Sequence, residues 1–165
     1  MLELGELTQI ATRDRVAVST VERDYILTHI LCELARHPGR DLFQFKGGTS
    51  LRVCYFSDYR YSADIDLNIN PDAEVGDGDR LLKGVLSNVE NSLGLPKIEL
   101  VLEGRRHVAY VGTTRTGRSR RIKLDIASDE YIADPTSVAQ ILPRFPDVHL
   151  VERQVKRRLR QSGYL

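Results

Sequence analysis

The chain has 165 residues, of which 41% are hydrophobic and 28% charged, a length and composition typical of one globular domain with a sizeable core. It contains no apolar run long enough to span a membrane and no signal peptide, so we expect a cytoplasmic protein without a membrane partner. The charge is uneven, because residues 1–104 carry 11 Lys/Arg against 17 Asp/Glu, whereas residues 105–165 carry 13 against 6. The second part is either a surface for a polyanion or an ordinary solvated basic face.

The clearest predicted helix begins near Ser19 and ends before the pair Pro38-Gly39. Apolar residues recur there at helical spacing, and Ser19 and Glu22 form the pattern of a capping box. Strands are predicted at residues 42–45, 62–70, 97–104, 105–114 and 119–128, and further helices at 49–55 and 80–94. This order of elements predicts an α+β fold in which a mixed sheet packs against helices.

The predicted strand at residues 62–70 carries two aspartates on one face. Alternate residues of a strand share a face, so Ile65 and Leu67 point into the core, while Asp64 and Asp66 point away, about 7 Å apart. Like charges so placed repel unless a cation lies between them, and magnesium takes carboxylate and phosphate oxygens together. The alternative is a solvent-facing edge with two harmless aspartates. A calcium loop is excluded, because its sixth and twelfth positions do not hold Gly and Glu.

A glycine pair precedes this strand. Gly47 and Gly48 follow one predicted strand and precede a predicted helix, and glycine lets phosphate oxygens approach the backbone. The N–H groups of Thr49 and Ser50 at a helix start favour an anion. Lys46 precedes the pair, so the Walker pattern, in which lysine follows the glycine, is absent. A plain turn explains the glycine pair equally well when it is taken alone.

The segment RRIKLDIAS supplies a candidate third carboxylate. Ile122 and Leu124 lie on its apolar face, and Lys123 and Asp125 on the other. Two-metal chemistry usually uses a further carboxylate on a neighbouring strand, which Asp125 would provide, and Lys123 would neutralise phosphate charge. Taken singly, the two residues would be an ordinary exposed pair. With the glycine turn and the Asp-x-Asp strand they indicate nucleotidyl transfer with Mg²⁺ or Mn²⁺ and a nucleoside triphosphate as substrate.

The segments VERDYILTHIL, FKGGTSL and RYSADIDL, followed later by RIKLDIA, resemble the AbiEii/AbiGii family of bacterial nucleotidyltransferase toxins, which includes the MenT toxins of mycobacteria. The resemblance runs from about Ser19 to Asn70 and resumes at RIKLDIA. It implies a minimal nucleotidyltransferase fold of the DNA polymerase β type. It also implies a toxin of a toxin–antitoxin or phage-defence pair, with a cognate antitoxin. In MenT members the activity is transfer of nucleotides onto the 3′ end of tRNA, which blocks translation.

The resemblance also assigns residues. It places the nucleotide-binding turn at Gly47, Gly48, Thr49 and Ser50, the metal-binding pair at Asp64 and Asp66, and the third acid at Asp125. We add Lys46 and Ser62 to the nucleotide-binding residues and Lys123 to the catalytic ones. The acceptor is then tRNA or another RNA. Two alternatives stay open: a catalytically weak nucleotide-binding or interaction module of the same fold, and an enzyme that modifies a protein substrate.

The C-terminal part departs from the family pattern. Members commonly continue into a helical region with an E-x-x-x-x-K segment and then an R-D-x-x-D segment. Here Glu152 and Lys156 stand one residue too close, and no R-D-x-x-D follows. The basic tail, about residues 147–165, therefore belongs to a compact member, to a truncated one, or to one whose tail has diverged.

Two further expectations concern RNA and regulation. We expect the basic stretch to hold the RNA backbone as salt-sensitive point charges, together with basic residues of the tail. The basic stretch contains Arg105, Arg106, Arg115, Arg118, Arg120 and Arg121. Ser62 lies two residues before Asp64 on the same strand face, so a phosphate there would repel the incoming triphosphate. The resemblance supports this regulatory role, because some MenT-type toxins are held inactive by phosphorylation at the corresponding place. The alternative is that Ser62 only caps the preceding loop.

Overall fold

A computed structural model describes residues 1–56, 60–70, 73, 76–103, 106–127, 139–142 and 144–148. Within these ranges the helices are α1 (Leu4–Asp14), α2 (Val18–Arg36), α3 (Gly47–Cys54) and α4 (Asp77–Leu93). The strands are β1 (Phe43–Lys46), β2 (Asp64–Ile69), β3 (Ile98–Glu103), β4 (Arg106–Val111) and β5 (Arg120–Ala127). The predicted α+β class is confirmed, and every predicted helix and strand is present with ends shifted by at most a few residues.

The strands form one mixed sheet in the order β1-β2-β5-β4-β3. Only β2 and β5 run parallel, and the other neighbouring pairs are antiparallel. A parallel pair needs a long connection, and here α4, β3 and β4 lie between β2 and β5 along the chain. This arrangement places the strand of the paired aspartates beside the strand of the third candidate acid, as the chemistry of the site predicted.

One face of the sheet is covered by helices. The side chains of Ile65 and Leu67 on β2 and of Ile122 and Leu124 on β5 are fully buried there. They belong to one core cluster with residues of α2 and α4. The alternation of β2 and β5 therefore fixes the sheet orientation, because burial of these four side chains directs the intervening polar residues to the opposite face. Asn68, which shares the face of Asp64 and Asp66 by alternation, is nevertheless only 3% exposed.

The start of α2 differs from the predicted capping box. The helix begins at Val18 with Ala17 as its N-cap, and no side chain caps it. Glu22 is buried and accepts hydrogen bonds from the backbone N–H and the hydroxyl of Thr116, at 3.0 and 2.6 Å. The predicted Ser19–Glu22 cap is therefore wrong, because distant partners take the Glu22 carboxylate.

Helix α1 was not predicted, and it carries the reciprocal cap instead. The backbone N–H of Glu3 donates to the Glu6 carboxylate at 2.8 Å, in the pattern of a capping box. The helix ends at Asp14, and its C-cap, Arg15, has the left-handed conformation common at helix ends (φ 55°). Leu7 and Ala11 bury its inner face. Leu4, Leu7 and Ala11 recur there at helical spacing, so the sequence does carry a signal for this helix.

A segment after β5 returns to the helices. Phe145 and Val148 are buried in the core, and Asp147 accepts a hydrogen bond from the hydroxyl of Tyr25. Arg144 stacks over the ring of Tyr61, with its guanidinium carbon 3.9 Å from the ring centroid. Val148 is thus a core residue and Asp147 a half-buried partner of α2, although we expected both in the basic tail. The rest of the tail, including Glu152 and Lys156, lies outside the described residues.

Among the described residues, no helix is both long and apolar enough to cross a membrane. Cys32 and Cys54 are free thiols, and burial raises the pKa of Cys32 to about 12.

Candidate active site

The glycine turn packs directly against one aspartate of β2. Gly47 follows β1 and opens α3 with φ +74°, a conformation that favours glycine. A Cβ atom at this position would lie 2.0 Å from Oδ2 of Asp66. Gly47 is therefore required for two independent reasons, and the second brings the backbone of the turn against a candidate metal ligand.

The two hydroxyls of the turn make local hydrogen bonds. The Thr49 side chain is buried, and its hydroxyl donates to the backbone carbonyl of Asp64 at 2.7 Å. Ser50 donates to the carbonyl of Gly47 at 2.7 Å. Thr49 thus joins the first turn of α3 to the first residue of β2. The backbone of Gly47 and Gly48 is exposed at the helix start, where N–H groups favour an anion.

The candidate acids and lysines form two rows across the sheet. In the first row Asp66 lies between Lys46 on β1 and Asp125 on β5, according to the strand register. In the second row Asp64 pairs with Lys123 of β5. All five side chains are half-buried on the face opposite the helices. The structure therefore brings the predicted residues together, with the two acids Asp66 and Asp125 side by side and a lysine next to an acid in each row.

The acids suit a divalent metal together with a phosphorylated ligand. Among the described residues, no three His, Cys, Asp or Glu side chains converge to hold a metal by themselves. Asp66 and Asp125 occupy facing positions on strands that lie about 5 Å apart. Carboxylate and phosphate oxygens are the ligands that Mg²⁺ and Mn²⁺ prefer, so a facing pair fits a metal whose remaining ligands come from a nucleotide.

A buried ion pair behind the site was not anticipated from the sequence. Asp24 of α2 and Arg52 of α3 are 0% and 2% exposed, and their charged groups lie 2.7 Å apart. The backbone N–H of Ser62 also donates to Asp24, at 3.3 Å. Burial raises the pKa of Asp24 and lowers that of Arg52, while the attraction between them opposes both shifts. Asp24 therefore ties the helix of the glycine turn to the residues that lead into β2.

A second set of contacts fixes the residues that lead into β2. The hydroxyl of Tyr61 donates to Asp14 at 2.5 Å, and Arg144 lies 3.4 Å from that carboxylate. Hydrogen bonds from Arg13 and Tyr61 lower the pKa of Asp14 to about 2. The sequence signal for the buried pair is an acid, Asp24, at helical spacing within the apolar face of α2. Nothing local in the sequence identifies its distant partner.

The structure separates the arginines that we expected to bind RNA. Arg120 shares the helix-covered face with Ile122, and its guanidinium lies 2.6 Å from the Glu22 carboxylate. The two side chains are 9% and 3% exposed. Arg120 is thus a buried structural cation, and we remove it from the RNA-binding set. The alternation of β5 already indicates this, because Arg120 lies two residues before buried Ile122 and therefore on the same face of the strand.

The other expected RNA contacts lie on the outside. Arg121 is half-exposed, pairs with Glu103 and lies with its guanidinium carbon 6.0 Å from the ring centroid of Tyr110. Arg115 and Arg118 are exposed in the turn before β5, and Arg115 lies 3.5 Å from Glu3. Arg106 begins β4, and Arg105 lies outside the described residues.

A cavity of about 660 Å³ lies elsewhere, at the far end of β2. Its lining includes His37, Asp41, Asn70 and Arg80 and none of the predicted site residues. We base the candidate site on the charged rows and the glycine turn, because they carry the chemistry that the cavity lacks.

Comparison with known proteins identifies a family for the chain. The family model described as "Nucleotidyl transferase AbiEii toxin, Type IV TA system" matches residues 29–156, more than three quarters of the chain. The matched range contains the glycine turn, β2 and β5. None of the curated proteins matches the chain.

Proposed function

The chain belongs to the AbiEii family of nucleotidyltransferase toxins of type IV toxin–antitoxin systems, and from this premise we propose that it transfers a nucleotide to RNA. Its α+β structure is a minimal nucleotidyltransferase fold, and the family uses a nucleoside triphosphate, a divalent metal and an antitoxin partner. The finer proposal is that the acceptor is the 3′ end of tRNA and that the protein acts in the cytoplasm as one domain. Transfer would block translation until the antitoxin counteracts it.

The observation that carries the proposal is the contact between the glycine turn and the acidic row. Gly47 has no room for a side chain because Asp66 lies against it, and Asp66 faces Asp125 across the parallel strands. The turn binds anions, whereas the pair of carboxylates repels them. A cation that binds both the anion and the carboxylates removes this conflict. A triphosphate with its metal satisfies both, since the metal takes oxygens from each side.

The chain's own residues have distinct roles in this chemistry. The turn at Gly47 and Gly48 binds the triphosphate through backbone N–H groups, with Lys46 and Ser62 at its edges. Asp64 and Asp66 would hold magnesium or manganese, which supplies charge neutralisation at the phosphates when bound. Lys123 adds positive charge beside Asp64 in the register.

The reaction itself is a substitution at phosphorus. The 3′ oxygen of the RNA attacks the α-phosphate, a new oxygen–phosphorus bond forms, and the bond to the β-phosphate oxygen breaks to release pyrophosphate. The proton of the attacking hydroxyl passes to Asp125, which is placed opposite Asp66 on the neighbouring strand. Catalysis consists mainly of positioning and charge neutralisation, as in other phosphoryl transfers. Arg115, Arg118 and Arg121 would contact the RNA backbone.

An acceptor screen tests the proposal. The protein is incubated with a divalent metal and each of the four α-labelled nucleoside triphosphates, with total tRNA, tRNA lacking its terminal nucleotides, other RNA, or protein extract as acceptor. We expect label on tRNA with at least one nucleotide and none without metal. Label on protein would favour the protein-modifying alternative. Nucleotide binding without any labelled acceptor would favour the weak binding module.

A further inference from the structure

Arg60 lies beside the glycine turn, although neither the motif nor the predicted mechanism gives it a role. A Cβ atom built on Gly48 would have Nη2 of Arg60 as its nearest neighbour, at 3.9 Å. Arg60 is exposed, and Gly48 beside it is exposed as well. The guanidinium therefore borders the open side of the turn, away from the contact between Gly47 and Asp66.

The nearby arginines Arg52 and Arg144 form ion pairs with aspartates, whereas Arg60 does not among the described residues. Arg52 on α3 is buried against Asp24, and Arg144 lies against Asp14 and the ring of Tyr61. Within the described part of the chain, no carboxylate lies within ion-pair distance of Arg60. An exposed guanidinium beside the first turn of a helix, with no acid among the described residues to neutralise it, attracts a multiply charged anion.

The two residues that follow Arg60 are held in place by hydrogen bonds. The next residue, Tyr61, donates to Asp14 at 2.5 Å, and the backbone N–H of Ser62 donates to buried Asp24. Asp24 in turn pairs with Arg52 of α3. The backbone that follows Arg60 is thus anchored, through Asp24 and Arg52, to the helix that presents the glycine turn, which keeps Arg60 near that turn.

We propose that Arg60 binds the terminal phosphates of the nucleoside triphosphate, so that it discriminates triphosphates from monophosphates at the glycine turn. The proposal rests on the proposed nucleotidyltransferase function and adds the residue that recognises the leaving pyrophosphate. A planar guanidinium offers paired donors to phosphate oxygens, and its charge opposes the charge that develops on the leaving group. The α-phosphate, which stays with the acceptor, lies toward the acidic row and does not need this contact.

The test compares affinities for matched ligands. Binding of each nucleoside triphosphate, the corresponding monophosphate and inorganic tripolyphosphate is measured by equilibrium dialysis with the intact chain, in the presence of magnesium. We expect Arg60→Ala to weaken triphosphate and tripolyphosphate binding roughly tenfold or more, while monophosphate binding changes less than about twofold. Arg60→Lys keeps the charge but not the paired donors, and should fall between parent and alanine variant. Arg80→Ala, an exposed arginine on α4 whose side chain is 81% exposed, is the matched control.

The outcomes separate this proposal from the function on which it rests. If the parent protein binds triphosphate and Arg60→Ala binds it equally well, the role of Arg60 is overturned while the proposed function stands. If monophosphate binding falls as much as triphosphate binding, Arg60 only supports the turn and the proposal is also overturned. If the parent protein binds no triphosphate, both proposals fail together. A loss confined to ligands with terminal phosphates supports Arg60 as their binding residue.

Discussion

The two faces of the sheet use charged residues in opposite ways, and the neighbours Arg120 and Arg121 show the difference. Arg120 points to the helices and forms a buried pair with Glu22, whereas Arg121 points outward and forms an exposed pair with Glu103. On the helix face, charge is enclosed and fixes the position of distant segments. On the open face, acids and lysines lie side by side in half-buried rows that remain accessible to a ligand. Within a run of charged residues on a strand, the residues that face the helices therefore have structural roles, and their neighbours on the open face are available to bind ligands.

The largest expected effect concerns the open face. Asp64→Ala, Asp66→Ala and Asp125→Ala should each reduce nucleotide transfer by roughly 1,000-fold or more, because each removes a ligand or an acid from the reacting centre. Their unfolding midpoints should equal or exceed that of the parent, since loss of a carboxylate relieves repulsion. Labelled-nucleotide incorporation and thermal unfolding measure the two effects. Full activity in Asp64→Ala or Asp66→Ala would exclude the proposed mechanism.

The enclosed face should respond in stability rather than in chemistry. Arg120→Met leaves Glu22 buried without its cation, which should reduce the free energy of unfolding by about 3–5 kcal/mol. Arg121→Met, the matched control on the open face, should leave the urea midpoint nearly unchanged. Equal shifts for the two variants would mean that strand parity does not divide the arginines in this way.

The glycine pair offers a comparison within the site itself. Gly47→Ala places a Cβ atom 2.0 Å from Oδ2 of Asp66 and also strains φ, so the carboxylate must move. Displacement by about 1 Å is expected to reduce transfer by roughly 100-fold. Gly48→Ala meets its nearest neighbour only at 3.9 Å and should lose much less. Initial rates at saturating nucleotide decide the matter, and equal losses would disprove the close packing of the turn on Asp66.

Ser62, which precedes β2, is a candidate site of regulation. We propose that phosphorylation of Ser62 silences the protein, because it adds about −1.5 to −2 charges two residues before Asp64. Ser62→Glu should lose most transfer activity, and Ser62→Ala should keep at least part of it, since the contact to Asp24 uses the backbone N–H. Mass spectrometry of protein co-expressed with its antitoxin checks for the phosphate. A fully active Ser62→Glu variant with no phosphate at Ser62 would refute this role.

The smallest expected effect belongs to the outer arginines. Reversing Arg118 and Arg121 to glutamate should lower RNA affinity and reduce the slope of its salt dependence by roughly 1–2. Nucleotide binding alone should change little. Filter binding at several salt concentrations gives the slope, and an unchanged slope would identify these arginines as an ordinary solvated face. Arg120 is left intact in this variant because it is buried.

Local patterns were sufficient to predict most of the fold and to propose the members of the candidate site. Strict alternation in β2 and β5 identified which side chains face the core, and the glycine pair marked the turn between β1 and α3. The pairing of Asp66 with Asp125 depended on a long connection through α4, β3 and β4, so only the chemistry of a metal site pointed to it. Helix α1 was not predicted, although its Glu3–Glu6 capping box is a local signal. The buried contact between Asp24 and Arg52 depends on a distant partner, which no local pattern identifies. The predicted cap of α2 was wrong for the same reason, since the distant residue Thr116 binds the Glu22 carboxylate.

The most direct test of the central claim follows the two ends of the nucleotide in one reaction. The protein is incubated with its RNA acceptor, metal and a nucleoside triphosphate labelled at the α-phosphate in one sample and at the γ-phosphate in another. The account predicts that the α label becomes covalently attached to the RNA 3′ end, with one pyrophosphate released per nucleotide added and the γ label recovered in that pyrophosphate. Attachment of the γ label to any acceptor, or α label that never leaves the free nucleotide, would contradict it.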